Sequence, residues 1–286
     1  MQWPQNLIRE VARRRCVLFL GAGVSASAEA DEQNRPKTWG EFLSEAVALV
    51  PDGSHKEEVI SLIEARNYLL SLQAIFQYAD QGDYQALLRA SFNNPAHRPG
   101  ELHKLLHRLD SRIVITTNFD KIYENYCEST ASNQAGYSTI SYYDESLGDL
   151  IRTDERIIIK AHGTINNIPR MIFSRAQYHA AKRDHARFYT ILQSLLLTNT
   201  CIFIGCGMDD PDINLLLEDV KIASSSSCPH YALIRSTEQG SIKARDWVET
   251  YNIKPLQYGR EYTDLNAAIQ ELVEEVEELR AYSPEA

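Results

Sequence analysis

Cys16-Val17-Leu18-Phe19-Leu20-Gly21-Ala22-Gly23-Val24-Ser25-Ala26-Ser27 decides how the rest of the chain is read. Its unbroken apolar run predicts a strand buried on both faces, as in a parallel sheet covered by helices. The run stops at two glycines one residue apart. A strand ending in Gly-x-Gly and followed by small residues lets a backbone approach a pyrophosphate closely, with amide N–H groups turned toward the charge. The spacing is G-x-G-x-x-A, with Ala26 in the third position, where a small residue allows close packing. A plain strand-to-helix turn has the same spacing, so the choice falls to the rest of the chain.

Outward from this stretch, strands alternate with helices. Residues 3–15 read as an amphipathic helix with Leu7, Ile8 and Val11 on one face. Further strands are expected over 112–117, 156–161, 200–204, 230–234 and 253–258. Helices are expected over about 121–127, 174–197, 212–223, 240–251 and 263–282. This order predicts an α/β fold with a doubly wound parallel sheet. Residues 29–37 form a polar loop, and Thr38 with Glu41 three residues on has the capping-box spacing. From 56 to 109 the periodicity is helical, broken at Asn93-Asn94-Pro95 and Arg98-Pro99-Gly100. That block reads as a helical lobe inserted into a single domain spanning 1–286.

Composition narrows the function classes. The 286 residues carry 29 basic and 39 acidic side chains, a net charge of −10, which argues against nucleic acid or an anionic membrane as a direct partner. No apolar run approaches a bilayer span. Met1-Gln2-Trp3-Pro4 opens no signal peptide, because the basic cluster Arg13-Arg14-Arg15 comes late and leads into a strand. The five cysteines are scattered and include no C-x-x-C pair, which points to a reduced, cytoplasmic protein without structural zinc.

Four strands end in polar or glycine motifs: Gly21-Ala22-Gly23, Thr117-Asn118-Phe119-Asp120, His162-Gly163 and Gly205-Cys206-Gly207. Ligands of open α/β sheets bind beyond the carboxyl ends of the strands, so all four should meet in one crevice. Each has a bland reading: Asn118 and Asp120 as an Asx-turn and a helix N-cap, His162 as a turn histidine. Their coincidence is harder to explain blandly.

Gly21-Ala22-Gly23-Val24-Ser25, Thr117-Asn118-Phe119-Asp120 and His162-Gly163 resemble, in order and placement, the three signature motifs of the sirtuins. The resemblance runs from about residue 17 to 234. It implies a Rossmann-like fold with an NAD⁺ site. Gly21, Ala22, Gly23 and Ser25 would hold the pyrophosphate, with Thr117, Gly205 and Gly207 also at the cofactor. Asn118 and Asp120 would line the nicotinamide-ribose end, and His162 would act as general base. Deacylating sirtuins carry a zinc ribbon, a Pro-Asp-Phe-Arg type segment and a Phe-Gly-Glu type strand. This chain has no zinc ribbon, has Pro36-Lys37-Thr38-Trp39 in place of that segment, and runs from Thr164 to Phe173 into a helix. With Gly205-Cys206-Gly207-Met208-Asp209-Asp210-Pro211-Asp212, it is more similar to the bacterial sirtuin-like domains of anti-phage defence systems, which hydrolyse NAD⁺.

That resemblance implies an NAD⁺ nucleosidase releasing nicotinamide and ADP-ribose, with NAD⁺ as substrate and Asn118 orienting water or ribose hydroxyls. A protein deacylase and a non-catalytic NAD⁺ or ADP-ribose sensor stay open as alternatives. Asp209, Asp210 and Asp212 read as an N-cap and first turn around Pro211 rather than a metal triad, so no metal site is expected. Glu41, twenty residues after Gly21, reads as a capping residue rather than a ribose acid. The last helix should pack Leu265, Ile269, Leu272, Val273, Val276 and Leu279 on the sheet or on another subunit. Unrestrained NAD⁺ destruction would harm a host. The resemblance therefore implies a homo-oligomer gated by a separate partner such as a HerA-type ATPase.

Overall fold

The computed structural model of the chain describes residues 1–30, 34–131, 136–207, 217, 229–238 and 242–282. After helix α1 (Gln5–Ala12) comes β1 (Cys16–Leu20), then α2 (Ala22–Ala26). The helices α3 (Trp39–Ala46), α4 (Ser54–Glu64), α5 (Tyr68–Tyr78), α6 (Gln81–Phe92) and α7 (Glu101–Arg108) precede β2 (Ile113–Thr116). Next are α8 (Ile122–Thr130), β3 (Tyr137–Ser141), α9 (Leu147–Leu150) and β4 (Arg156–Lys160). The remainder is α10 (Arg175–Asp184), α11 (Ala186–Thr198), β5 (Thr200–Ile204), β6 (His230–Ile234), α12 (Ile242–Tyr251), β7 (Ile253–Gln257) and α13 (Asp264–Tyr282).

The seven strands form one sheet in the order β3-β4-β2-β1-β5-β6-β7, and every pairing is parallel. β1 is central: Leu18 lies level with Val114 of β2 and with Ile202 of β5. On the β2 side the chain runs to the edge strand β3 and returns as β4, then crosses β1 to build the other half outward. The end of β1 is therefore the switch point at which ligand crevices open in such sheets.

The apolar run of β1 has no alternation because both faces are covered. Val17 and Phe19 belong to the core under α10, α11 and α12, with Phe188, Leu192 and Trp247. Cys16, Leu18 and Leu20 belong to the opposite core under α1, α7 and α13, with Leu7, Leu105 and Leu272. The last helix packs its apolar stripe on the sheet, as expected. Its Arg280 guanidinium donates to the carbonyls of Ala12 (2.9 Å), Val11 (2.9 Å) and Leu109 (3.1 Å), at the ends of two helices.

A third core unites α3–α6 with the strand-end loops. Phe42, Leu43, Leu72, Ile75 and Leu88 pack with Phe119, Ile165, Met171 and Phe173. This helical layer starts at α3, before residue 56, whereas α7 contributes Leu102, Leu105 and Leu106 to the sheet core. Thr38 and Glu41 form the expected capping box.

Three local expectations are corrected. β3 was not foreseen: at the sheet edge it buries only Ile140 and Ser141, so its sequence shows little apolar signal. The single helix expected over 174–197 is two, broken at His185, whose φ of −125° and ψ of 41° are not helical. Ala26 is exposed at the end of the five-residue α2, so its smallness serves no packing there. Among the described residues, no helix is long and apolar enough to cross a membrane. The expected helix over 212–223, Cys228 and the run Met208-Asp209-Asp210-Pro211-Asp212 lie outside the described residues, apart from Leu217, which is helical and buried.

Candidate active site

Because the strands are parallel, β1, β2, β4 and β5 deliver their four motifs to one edge of the sheet. The two glycine turns pack directly on each other. Gly23 N–H donates to the Gly205 carbonyl (2.8 Å), and Gly21 N–H donates to the Ile204 carbonyl (3.0 Å). A Cβ on Gly21 would lie 2.7 Å from the Gly205 oxygen, and one on Gly23 would lie 2.8 Å from the Gly205 Cα. Gly205 itself has φ +65°, a conformation that favours glycine. The bareness of these glycines thus serves backbone-to-backbone contact between neighbouring turns. The N–H groups of Gly21 and Gly23 are spent inside the protein.

The turn after β2 is tied to the glycine turn twice. Asn118 Nδ2 donates to the Gly21 carbonyl (2.9 Å), while Ser25 Oγ donates to Asp120 Oδ2 (2.5 Å). Asp120 Oδ1 accepts from Ile122 N–H (3.0 Å), so this carboxylate also stabilises the start of α8, in the manner of an Asx-turn. Thr116 Oγ1 accepts from Asn118 N–H (3.1 Å) and donates to the Leu20 carbonyl (2.9 Å).

These groups form one wall of a cleft open to solvent. Ala22, Ser25, Thr117, Asn118 and Asp120 line it on the sheet side. The helical layer supplies the facing wall with Thr38, Trp39, Phe42 and Phe92, and the loop after α6 adds His97. Phe119 holds the two walls together: its ring stacks on Phe173 at 4.1 Å between centroids and meets Trp39 and Phe92 edge-on. His97 is carried by a segment whose next residue, Arg98, exchanges two 2.9 Å backbone hydrogen bonds with Glu29 beyond the glycine turn.

Of the expected site residues, Ala22, Ser25, Thr117, Asn118 and Asp120 meet in the cleft. Gly21, Gly23 and Gly205 form the packed turns behind it, and Gly207 is exposed at the end of the β5 turn. His162 does not line the cleft. It is 1% exposed, with its ring edge-on to Tyr178 at 6.5 Å and its carbonyl accepting from Ile172 N–H. The two motifs follow adjacent strand ends, where Thr116 pairs with Lys160. Gly163, φ +81°, turns the chain sharply after it; a Cβ there would strike the Arg170 carbonyl at 2.6 Å.

Sequence reasoning did not single out His97, Phe92 or Phe42 for the cleft, nor the buried pair Lys160 and Glu124 below it. For Lys160 a signal existed: a lysine between Ile159 and Ala161 interrupts an otherwise apolar strand end. Among the described residues, no three His, Cys, Asp or Glu side chains gather as a metal-binding group.

A parallel sheet with this switch-point cleft defines a nucleotide-type α/β site. The model of the SIR2-like domain family matches residues 112–256, just over half of the chain, and the chain belongs to that family. Among characterised relatives, it is 22% identical over 264 residues to the NAD(+) hydrolase ThsA of Enterococcus faecium, covering 90% of this chain and 51% of that protein. It is 22% identical over 238 residues to the NAD(+) hydrolase ThsA of Bacillus cereus (strain MSX-D12), covering 82% and 46%. The Defense-associated sirtuin 2 of Bacillus subtilis is 21% identical over 214 residues, 72% of this chain and 19% of that protein. The chain spans about half the length of the NAD(+) hydrolase relatives it matches.

Proposed function

We propose that this chain cleaves NAD⁺ at the nicotinamide glycosidic bond, with water as acceptor, in anti-phage defence. The observation that carries the reading is the meeting of Ser25, Asn118 and Asp120 in one cleft at the β1 switch point, with His162 at the neighbouring strand end. Alignment with proteins named NAD(+) hydrolase over most of the chain supports it.

In the reaction, the C1′–N bond breaks and its electron pair leaves on nicotinamide. The ribose passes through an oxocarbenium-like state, and water adds at C1′. The products are nicotinamide, ADP-ribose and a proton. Asn118 orients the water or the ribose hydroxyls without adding charge. Asp120 supplies negative charge near the developing cation. His162, at the neighbouring strand end, takes the proton as general base. Ala22 and Ser25 face the pyrophosphate, Thr117 lines the ribose side, and Gly21, Gly23, Gly205 and Gly207 keep the turns close enough for it to lie along them. Trp39, Phe42 and Phe92 exclude bulk water. NAD⁺ is the substrate, and the chemistry calls on no metal.

In this reading residues 1–286 act as one domain with a helical insertion, working in the cytoplasm where NAD⁺ is available. The enzyme is weakly active alone, and assembly into a homo-oligomer, with a separate partner such as a HerA-type ATPase, switches it on. Specific activity that rises with protein concentration in step with sedimentation would support this. A fully active monomer would end it.

The test of the chemistry is incubation with NAD⁺ and mass spectrometry for nicotinamide, ADP-ribose and cyclic ADP-ribose, with and without an acetylated lysine peptide. Nicotinamide release independent of peptide is expected, and a folded His162→Ala protein should lose it. Near wild-type turnover by that variant would overturn the base assignment, and stoichiometric deacetylation would overturn hydrolysis.

A further inference from the structure

Beneath the cleft, Lys160 at the end of β4 and Glu124 on α8 form an ion pair whose side chains are 1% and 2% exposed. Lys160 Nζ donates to Glu124 Oε1 and also to the backbone carbonyl of Asp120, at 2.6 Å. Removing two charges from water costs several kcal/mol per ion, and replacing such pairs with apolar residues is often neutral or stabilising. Stability alone does not account for this pair.

Its position does. The Asp120 carbonyl that Nζ holds belongs to the turn whose side chains reach Ser25 and Gly21. Lys160, the last residue of β4, also sits two residues before His162 in the turn that follows. One ammonium group therefore ties the strand end carrying His162 to the turn carrying Asn118 and Asp120. It does so beside a 2.9 Å hydrogen bond from Ile165 N–H to the Phe119 carbonyl and the stacking of Phe119 on Phe173, and it is the link that acts on the Asp120 carbonyl itself.

We propose that Lys160, charge-balanced by Glu124, is a positioning residue that sets the Asn118–Asp120 turn against His162 for the cleavage reaction. Its kinetic consequence rests on the NAD⁺-cleaving reading above; its structural consequence does not.

Two apolar pairs of different volume test this: Lys160→Met with Glu124→Met, and Lys160→Leu with Glu124→Leu. In a folded pair, hydrogen exchange of the amides at 117–122 should quicken at least about tenfold, while the sheet core stays protected. With NAD⁺, kcat should fall at least about tenfold while KM stays within about threefold, the mark of a lost transition-state interaction. Unchanged exchange at 117–122 would overturn the proposal, as would wild-type kcat in a folded pair. Failure of both pairs to fold would also overturn it, since the pair would then hold the fold and not the turn. A wild-type protein inert toward NAD⁺ would end the functional reading alone, and exchange at 117–122 would still decide this one.

Discussion

Ser25 Oγ and Asp120 Oδ2 lie 2.5 Å apart across 95 residues of sequence, and this one hydrogen bond joins the glycine turn of β1 to the turn after β2 inside the cleft. Both residues are buried. Ser25→Ala would leave a carboxylate oxygen without its donor, at a cost of about 1–3 kcal/mol in stability. Asp120→Asn keeps an oxygen for Ile122 N–H and an amide for Ser25, but removes the charge. Ser25→Ala should therefore lower the melting temperature, whereas Asp120→Asn should keep it and slow nicotinamide release by about tenfold or more. Thermal melts and single-time-point nicotinamide assays check both.

Gly205 and Gly40 make a matched pair. Gly205→Ala would combine a φ of +65° with a Cβ only 2.6 Å from the Val24 nitrogen. Left-handed strain alone costs about 1–3 kcal/mol, and the clash with backbone adds to it. At Gly40, in α3, nothing lies within 4 Å of the added Cβ, and alanine should gain up to about 1 kcal/mol of helix propensity. Urea midpoints should move in opposite directions.

Phe119 and Trp39 couple the two walls of the cleft, with ring centroids 6.4 Å apart at 84°. Phe119→Ala empties the centre of the third core and should cost about 3–5 kcal/mol. A double-mutant cycle with Trp39→Ala should leave a coupling of about 0.5–1.5 kcal/mol. Since Trp39 also lines the cleft, its single variant should raise KM for NAD⁺ more than it lowers stability. Denaturation curves for the four proteins, with kinetics on Trp39→Ala, give the answer.

Acid should destabilise the fold through two buried histidines. Burial lowers both His103 and His230 from the ordinary 6.5 to about 4, although Asp120 and Glu29 pull the other way at His103. Each ring also accepts a backbone N–H at Nδ1, from Gly100 (3.2 Å) and Cys201 (3.1 Å), which protonation at that atom would break. Between pH 6.5 and 4 the unfolded chain binds protons that the folded one does not, so stability falls as pH falls through that window. The loss approaches roughly 3 kcal/mol per histidine below pH 4. Urea midpoints at pH 7 and 4.5 measure it, and His230→Gln should reduce the difference.

Much of the sheet was legible because its signals are local. β1, β2, β4, β5 and β6 are short apolar runs bounded by breakers, and the capping box at Thr38 and Glu41 is a spacing of three residues. β3 escaped notice because an edge strand needs only one apolar face, and Tyr137-Ser138-Thr139-Ile140-Ser141 acquires strand structure by pairing with β4. In the site, Asn118, Asp120 and Ser25 were legible as a motif. His97, Phe92 and the Glu124 partner of Lys160 were not, because each depends on which helix lands opposite the motif.

The sequence by itself determined which residues end the parallel strands, since buried runs and the glycines that stop them are set by covalent geometry and by burial of neighbouring residues. Only the tertiary structure decided what those ends do. The N–H of Gly23 goes to Gly205 and not to solvent, His162 is buried and not in the cleft wall, and Lys160 is buried against Glu124. The physical reason is that a hydrogen bond or a buried charge is resolved by whatever group arrives from elsewhere in the chain. Here those groups come from tens to nearly two hundred residues away, at a distance where sequence spacing carries no information about contact.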